Sequence, residues 1–204
     1  MTVTPSVATV LAHLDLDRTV DLVAEVCTIP SSLGEEGPLA SFLASVMSGY
    51  GFAGVDLLPV LDARSNAVGE VVLGDEPRVV MTGHMDIKPV SLGWSRAEPF
   101  SGEMIDGAVY GHGIMDMKAA LACQIVAIEA MAVASGSTPG VFSDSMAMAA
   151  VSDHMGDQAG SIAYFDKCQA DLCILGELTD NQVCLGHRGR YCFDIATRGV
   201  SAHT

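Results

Sequence analysis

The stretch that decides the fold is Arg78-Val79-Val80-Met81-Thr82-Gly83-His84-Met85-Asp86. It begins with a short apolar run bounded by Pro77 and Gly83, which predicts a central strand. His84 and Asp86 follow this strand directly, at the edge where ligands bind in open α/β sheets. In such a pair the histidine ring can offer a nitrogen to a metal ion while the aspartate fixes the tautomer of the ring. The stretch therefore predicts an α/β fold with a polar site at the end of a strand.

Helices and strands alternate along most of the chain. Apolar periodicity predicts helices over residues 17–27, with Asp17 as N-cap, and over 36–50, 115–135 and 158–168. Strands are predicted over residues 55–60, 67–73, 78–82, 145–151 and 171–175. Residues 88–113 are rich in glycine and proline and are predicted to form a long functional loop. This order predicts an α/β three-layer sandwich with a mixed, largely parallel central sheet.

The last part of the chain has a different pattern. From Arg190 to Arg198 apolar and other residues alternate, which predicts a strand with one exposed face. We expect this strand to begin a second domain that the sequence, ending at Thr204, does not complete. The predicted division is therefore a first domain over residues 1–187 and a truncated second domain over 188–204.

Composition excludes several classes of function. The chain has 204 residues, of which 50% are hydrophobic, and this is enough to bury a core. Its 25 acidic and 10 basic residues give a net charge of -15, which repels phosphate backbones and anionic lipids. Nucleic-acid binding and membrane binding are therefore not expected. Because no secretion signal is visible either, we expect a cytoplasmic protein.

Further motifs follow the first one in a fixed order. They are the loop Asp106-Gly107-Ala108-Val109-Tyr110-Gly111-His112-Gly113, the triplet Asp116-Met117-Lys118, the pair Gly176-Glu177, and Gly199 with Ala202-His203. Together with residues 82–86 they resemble the dinuclear zinc amidohydrolases and exopeptidases, a family that includes acetylornithine deacetylase, succinyl-diaminopimelate desuccinylase and carboxypeptidase G. The resemblance covers the N-terminal portion of that family only.

The resemblance implies roles for five residues. His84 is a ligand of one metal ion, Asp116 bridges two ions, and Glu177 completes a ligand set on one of them. Asp86 orients His84, and His203 helps to hold the developing oxyanion in the active site of a neighbouring subunit. The implied cofactors are two divalent metal ions, with zinc expected first and cobalt or manganese as possible substitutes.

The resemblance also implies a function. It predicts a metal-dependent hydrolase that cleaves the amide bond of N-acyl amino acids or small peptides, incomplete in the present sequence. Residues 1–187 would be the catalytic metal-binding domain, and residues 188–204 would begin an α+β lid and dimerisation domain, so that the full-length protein forms a homodimer. The alternative is a degenerate homologue that keeps the fold for ligand binding or dimerisation without catalysis.

Two departures from the family pattern leave alternatives open. Where the family carries Asp-Glu-Glu, with the first glutamate as general base and the second as zinc ligand, this chain has Asp153-His154-Met155. Methionine is a poor zinc ligand beside carboxylates, whereas His154 could act as a base, or His154 or Asp157 as a ligand. Asp153 and Asp157 could also hold metal in another geometry, or the chemistry could be lost. The second departure is that the family's last ligand histidine would lie beyond Thr204.

Overall fold

The structure, a computed structural model, describes residues 7–72, 77–137, 145–187, 189, 191, 193 and 195–200. The helices are α1 (Val7–Leu11), α2 (Leu16–Cys27), α3 (Gly37–Gly49), α4 (Ala119–Ser137) and α5 (Ala159–Phe165). The strands are β1 (Ala53–Pro59), β2 (Ser65–Val71), β3 (Pro77–His84), β4 (Glu103–Ile105), β5 (Ala108–Tyr110), β6 (Ser145–Val151) and β7 (Leu172–Leu175).

Five strands form the central sheet, in the order β1-β2-β6-β3-β7. β3 pairs in parallel with β6 on one side and β7 on the other, whereas β2 is antiparallel to both β1 and β6. β2 therefore runs against the other four strands, and the sheet is mixed and mostly parallel, as predicted. Because β3 and β7 end at the same edge, the residues that follow them are brought together there.

Helices cover both faces of this sheet, which confirms the three-layer arrangement. On one face α2, α3 and α4 enclose the larger core, in which Leu121, Ile125 and Ile128 of α4 are fully buried. On the other face α5 places Tyr164 against Val80 and Val151 in a smaller core. Alanine at many positions of α4 and β6 lets the helix lie close to the sheet.

One helical segment, Ile114–Gly136, is long and apolar enough to cross a membrane by length and composition alone. The core helix of a globular protein passes the same test, and Leu121 and Ile125 of this segment are fully buried in the larger core. The segment is therefore weak support for a membrane span. The expectation of no membrane contact stays a prediction.

Two helix starts differ from the sequence prediction. The N-cap of α2 is Asp15, whose carboxylate accepts a hydrogen bond from the Arg18 N–H, and not Asp17, which lies inside the first turn. The helix predicted from residue 115 begins only at Ala119, after an irregular turn over Ile114–Lys118 in which Asp116 and Met117 have non-helical backbone angles. The apolar pattern runs through this turn, so periodicity alone cannot detect it.

The described residues after β7 form no strand, although a strand was predicted over residues 190–198. Tyr191, Phe193 and Ile195 are more than four-fifths exposed. An alternating strand needs a neighbour to take its hydrogen bonds and to cover its apolar face, and no described segment lies there to provide one. The division into domains at residue 187 remains a prediction.

Candidate metal centre

His84 is the last residue of β3, and its ring is held in one orientation. The residue is 4% exposed, and its ring Nδ1 lies 2.9 Å from the backbone carbonyl oxygen of Asp86. Since a carbonyl can only accept, Nδ1 donates in this contact, and in the neutral ring Nε2 then carries the lone pair, which faces Asp116 Oδ1 at 3.1 Å. This is the tautomer that binds a metal ion through Nε2.

The sequence suggested that the Asp86 side chain fixes the tautomer of the His84 ring, but the two side chains are not hydrogen-bonded. The Asp86 carboxylate is 3.9 Å from His84 Nδ1, too far for a hydrogen bond, and instead accepts the backbone N–H groups of His154 at 3.0 Å and Met155 at 2.8 Å. The side chain is fully buried. Asp86 therefore orients His84 through its main-chain carbonyl and holds the segment after β6 through its carboxylate.

Asp116 reaches His84 from the irregular turn over Ile114–Lys118. Gly113 starts this turn with φ +78, and a Cβ there would lie 2.4 Å from Ile87 Cγ2, so both the backbone angle and the space require glycine. The peptide bond between Asp116 and Met117 is cis. Asp116 Oδ1 lies 3.1 Å from His84 Nε2, and its side chain is about half exposed to the cavity above.

Glu177 is delivered by β7. The N–H of Gly176 donates to the Thr82 carbonyl at 3.1 Å, which continues the β3–β7 pairing past the last residue of β7. Glu177 Oε1 then lies 3.6 Å from His84 Nε2. The parallel pairing of the two strands is thus the reason that two residues more than ninety positions apart meet.

His154 belongs to the same cluster. Its ring stacks on that of His84 with centroids 4.3 Å apart and planes inclined by 7°, and its Nε2 is 3.7 Å from Glu177 Oε1. The candidate ligand atoms of His84, His154 and Glu177 all lie within 4.8 Å of one another. Burial, together with the neighbouring His84, lowers the pKa of His154 below its ordinary value, which favours the neutral ring that can bind a metal.

These side chains surround an open cavity of about 410 Å³. Its lining comprises His84, Asp86, Ile87, Lys88, Asp116, His154, Met155 and Glu177. A smaller cavity of about 210 Å³ shares Ile87, Lys88 and Asp116 with it and is also lined by Trp94 and Met115. The candidate ligands thus lie beside a partly apolar space with a cationic side chain at the border.

A buried ion-pair network supports the segment that carries His154, and no sequence motif pointed to it. Arg64 Nη1 lies 2.7 Å from Asp153 Oδ1 and 3.9 Å from Glu36 Oε1. Glu36 accepts the Asp153 N–H, and Asp153 accepts the N–H groups of Asp157 and Ala159. Although burial acts to raise the pKa of Asp153, hydrogen bonds from Ala159 and Arg64 outweigh it and hold that pKa below its usual value.

The positions left open by the sequence are placed as follows. The Asp153 carboxylate forms an ion pair with Arg64, and Asp157 is exposed and does not line the cavity. These two carboxylates therefore do not form a metal site together. Met155 lines the cavity but carries only a thioether. His203 lies outside the described residues, and its expected role stays a prediction. The set His84, Asp116, Glu177 and His154 combines imidazole and carboxylate donors, which suits zinc, cobalt or manganese.

Residues 80–143 match the family model Peptidase family M20/M25/M40. Over 196 residues the chain is 31% identical to a succinyl-diaminopimelate desuccinylase of Methylorubrum populi, an alignment that covers 85% of this chain and 48% of the relative. The chain thus spans about half the length of this relative. The resemblance found in the sequence is confirmed.

Solved structures agree on the fold. An M20 family metallo-carboxypeptidase from Sulfolobus solfataricus superposes with a TM-score of 0.65 at 17% identity, covering 79% of this chain and 37% of that one. A di-peptidase from Saccharomyces cerevisiae superposes with a TM-score of 0.63 at 19% identity, covering 83% of this chain and 40% of that one. At these identities the likeness establishes the architecture alone.

Proposed function

Because this chain is related in sequence and fold to peptidase family M20/M25/M40, we propose that the protein it belongs to is a metal-dependent hydrolase of amide bonds in N-acyl amino acids or small peptides. One observation carries the proposal. His84, Asp116 and Glu177 come from three separate segments, yet both carboxylates lie within 3.6 Å of the same histidine nitrogen. This convergence at the carboxyl ends of parallel strands, where ligands bind in open α/β sheets, supports a metal site at these side chains.

Zinc is the proposed metal, with cobalt or manganese able to replace it. When bound, such an ion supplies Lewis-acid polarisation of the scissile carbonyl and makes water more acidic. His84 would hold it through Nε2, and Asp116 and Glu177 through carboxylate oxygens. A second ion, to which Asp116 would also be a ligand, remains part of the proposal for the whole protein.

The neighbouring cavities support an acylated amino acid or a short peptide as substrate. Such molecules carry a free carboxylate, and Lys88 is an exposed cation where the two cavities meet. Trp94 and Met115 offer apolar surface for an acyl chain or side chain. A homodimer, a cytoplasmic location and an oxyanion-binding role for His203 complete the proposal, and they rest on the family resemblance alone.

The test is hydrolysis by protein from which metal has been stripped and then returned. We expect amine release from N-succinyl or N-acetyl amino acids or from dipeptides only after zinc, cobalt or manganese is added. Asp116→Asn should abolish that turnover, because a neutral amide is a weak ligand. Asp106→Asn is the matched control, since this exposed aspartate pairs with Arg96 outside the cavity.

A second candidate, a non-catalytic homologue that binds ligands, is favoured by Met155 because a thioether lines the cavity where the family has a ligand glutamate. The same experiment separates the two. Metal binding and acyl amino acid binding without turnover in the full-length protein would support the second candidate and refute the first.

A further inference from the structure

We propose that Gln124 is a positioning residue for Glu177. Its side-chain amide fixes the end of β7 against β3, and the Glu177 carboxylate is thereby held near the ion at His84. The inference rests on the proposed metal site. Gln124 lies in α4, outside the motifs that carry the family resemblance, and acts on the metal centre through the backbone of β7.

The amide nitrogen of Gln124 joins the two strands just before their candidate ligands. Its Nε2 lies 3.1 Å from the Thr82 carbonyl oxygen in β3 and 3.3 Å from the Ile174 carbonyl oxygen in β7. Because an amide nitrogen carries two protons and a carbonyl can only accept, each proton has one carbonyl to donate to. Thr82 lies two residues before His84, and Ile174 lies three residues before Glu177. Gln124 therefore links the strands close to the point where both side chains leave the sheet.

This link lies where the pairing of the two strands ends. Leu175 is the last residue of β7 that pairs with β3, opposite Thr82, and the Gly176 N–H then donates to the Thr82 carbonyl at 3.1 Å. β7 has four residues and lies at the edge of the sheet, so in the described part of the chain β3 is the strand that holds it. An edge strand this short is held by few backbone hydrogen bonds, and a side chain that fixes its end limits local opening there.

Gly176 provides the space that Gln124 needs. A Cβ at Gly176 would lie 2.9 Å from Gln124 Nε2 and 2.8 Å from Ala120 Cβ. Both are atoms of α4, so the missing side chain allows this helix to lie directly against the end of β7. The close approach places the amide of Gln124 within hydrogen-bonding distance of the strand that carries Glu177.

A contribution to stability does not by itself account for an amide at position 124. The residue is 7% exposed, and its Oε1 is buried without a hydrogen-bond partner among the described residues. A buried acceptor without a partner lowers stability, and the buried neighbours in the same helix, Leu121, Ile125 and Ile128, are apolar. The amide is instead accounted for by the two carbonyls that its nitrogen holds, and hence by the position of Glu177.

Cobalt(II) titration of the full-length protein, stripped of metal, tests the proposal with Gln124→Met, which keeps an unbranched side chain and removes the amide. We expect cobalt binding to be about 10-fold weaker, because residues that orient a metal ligand contribute about 10–100-fold to affinity, and the visible absorption spectrum of the bound ion to change. Ile128→Val is the control, since it shortens a fully buried side chain one turn further along α4 and should change neither. Unchanged affinity or an unchanged spectrum in Gln124→Met would overturn the proposal, and so would an equal change in Ile128→Val.

A measurement on the unaltered protein covers the case in which Gln124→Met does not fold. Coupling between two sites is reciprocal, so if Gln124 favours the position of Glu177 that binds metal, bound metal must favour the contacts of Gln124. With glutamines labelled with nitrogen-15, the side-chain amide protons of Gln124 should exchange with solvent more slowly when zinc is bound, whereas those of the exposed Gln169 should not change. Equal exchange rates at Gln124 with and without zinc, or no bound zinc at all, would refute the proposal.

The outcomes separate the positioning role from the proposed function. Slower exchange at Gln124 with zinc bound, but without amide hydrolysis by the full-length protein, would leave the positioning role standing and remove the hydrolase. Hydrolysis together with equal exchange rates at Gln124 would remove the positioning role and leave the hydrolase.

Discussion

Replacing Arg64 with methionine should destabilise the chain strongly, because two buried carboxylates would lose their cation. Glu36 is fully buried and the Asp153 side chain is 6% exposed. At an effective dielectric constant of about 20, a charge 2.7 Å away contributes about 6 kcal/mol and one 3.9 Å away about 4 kcal/mol. Burying the guanidinium offsets much of this attraction, so we expect a net loss of about 3–5 kcal/mol in the free energy of unfolding.

The loss of unfolding free energy in Arg64→Met should depend on pH, and the titration of Asp153 sets the direction of that dependence. The folded-state pKa of this carboxyl lies below its unfolded value, so its contribution to stability is complete above about pH 4 and disappears as the pH falls through the folded pKa. The difference in unfolding free energy between the unaltered chain and Arg64→Met should therefore be constant near neutral pH and become smaller in acid. Urea unfolding, followed by far-UV circular dichroism at several pH values, measures it.

Arg96→Met is the matched control. Arg96 Nη2 lies 2.6 Å from Asp106 Oδ2, as close as the buried pair, but the two side chains are 55% and 81% exposed. Solvent screens such a pair, and its loss should cost at most about 1 kcal/mol. If Arg64→Met cost no more than Arg96→Met near neutral pH, burial would not be what makes the Arg64 network stabilising, and the reasoning would be refuted.

Three further predictions concern other positions. Gly160→Ala would place a Cβ 2.2 Å from the Ser152 carbonyl oxygen and should lower the free energy of unfolding by about 1–3 kcal/mol. Gly136→Ala is the control, because a Cβ at this helical position has nothing within 4 Å, and it should leave the melting temperature unchanged or raise it. Burial lowers the pKa of Lys118 to about 8, so above that pH the folded chain releases a proton that the unfolded chain still holds. The free energy of unfolding should therefore rise by up to about 1.4 kcal/mol per pH unit between about pH 8 and 9. Lys118→Met should remove this rise. Asp86→Asn should lower the free energy of unfolding by about 1–3 kcal/mol, because the amide has one oxygen and cannot accept both N–H groups that the two carboxylate oxygens accept. It should also weaken cobalt(II) binding, measured by titration of the metal-free chain. Unchanged affinity would show that Asp86 does not hold the metal centre.

Strand and helix positions were largely readable from the sequence because burial imposes a period on each element. The apolar run before His84 predicted β3, and the run from Ser145 to Val151 predicted β6 with its observed bounds. The start of α4 was misplaced, since Met115 and Met117 fit a helical pattern although the backbone there is not helical. The apolar pattern records the average period of an element, and it does not detect a short irregular turn that keeps its apolar residues in phase with that period.

Only part of the candidate site could be predicted from the sequence. His84, Asp116 and Glu177 could be picked out because they stand in an ordered set of motifs, and the structure brings them together at one edge. The sequence left His154 with several roles, and only the distance of its Nε2 from Glu177 Oε1, 3.7 Å, places it among the candidate ligands. Arg64 and Glu36 carried no signal, since a charged residue that becomes buried against a distant partner looks in sequence like any surface charge.

By itself, the sequence determined the α/β class and the strand that ends at His84, because these depend on local periodicity. The ordered motifs that carry the family resemblance singled out His84, Asp116 and Glu177 as candidate ligands. Tertiary structure alone decided which donors share one site. The parallel pairing of β3 with β6 and β7 brings the ends of three strands to one edge, and there the chain places His84, His154 and Glu177 side by side. Distances between residues remote in the chain depend on strand order and register, and no local pattern specifies either.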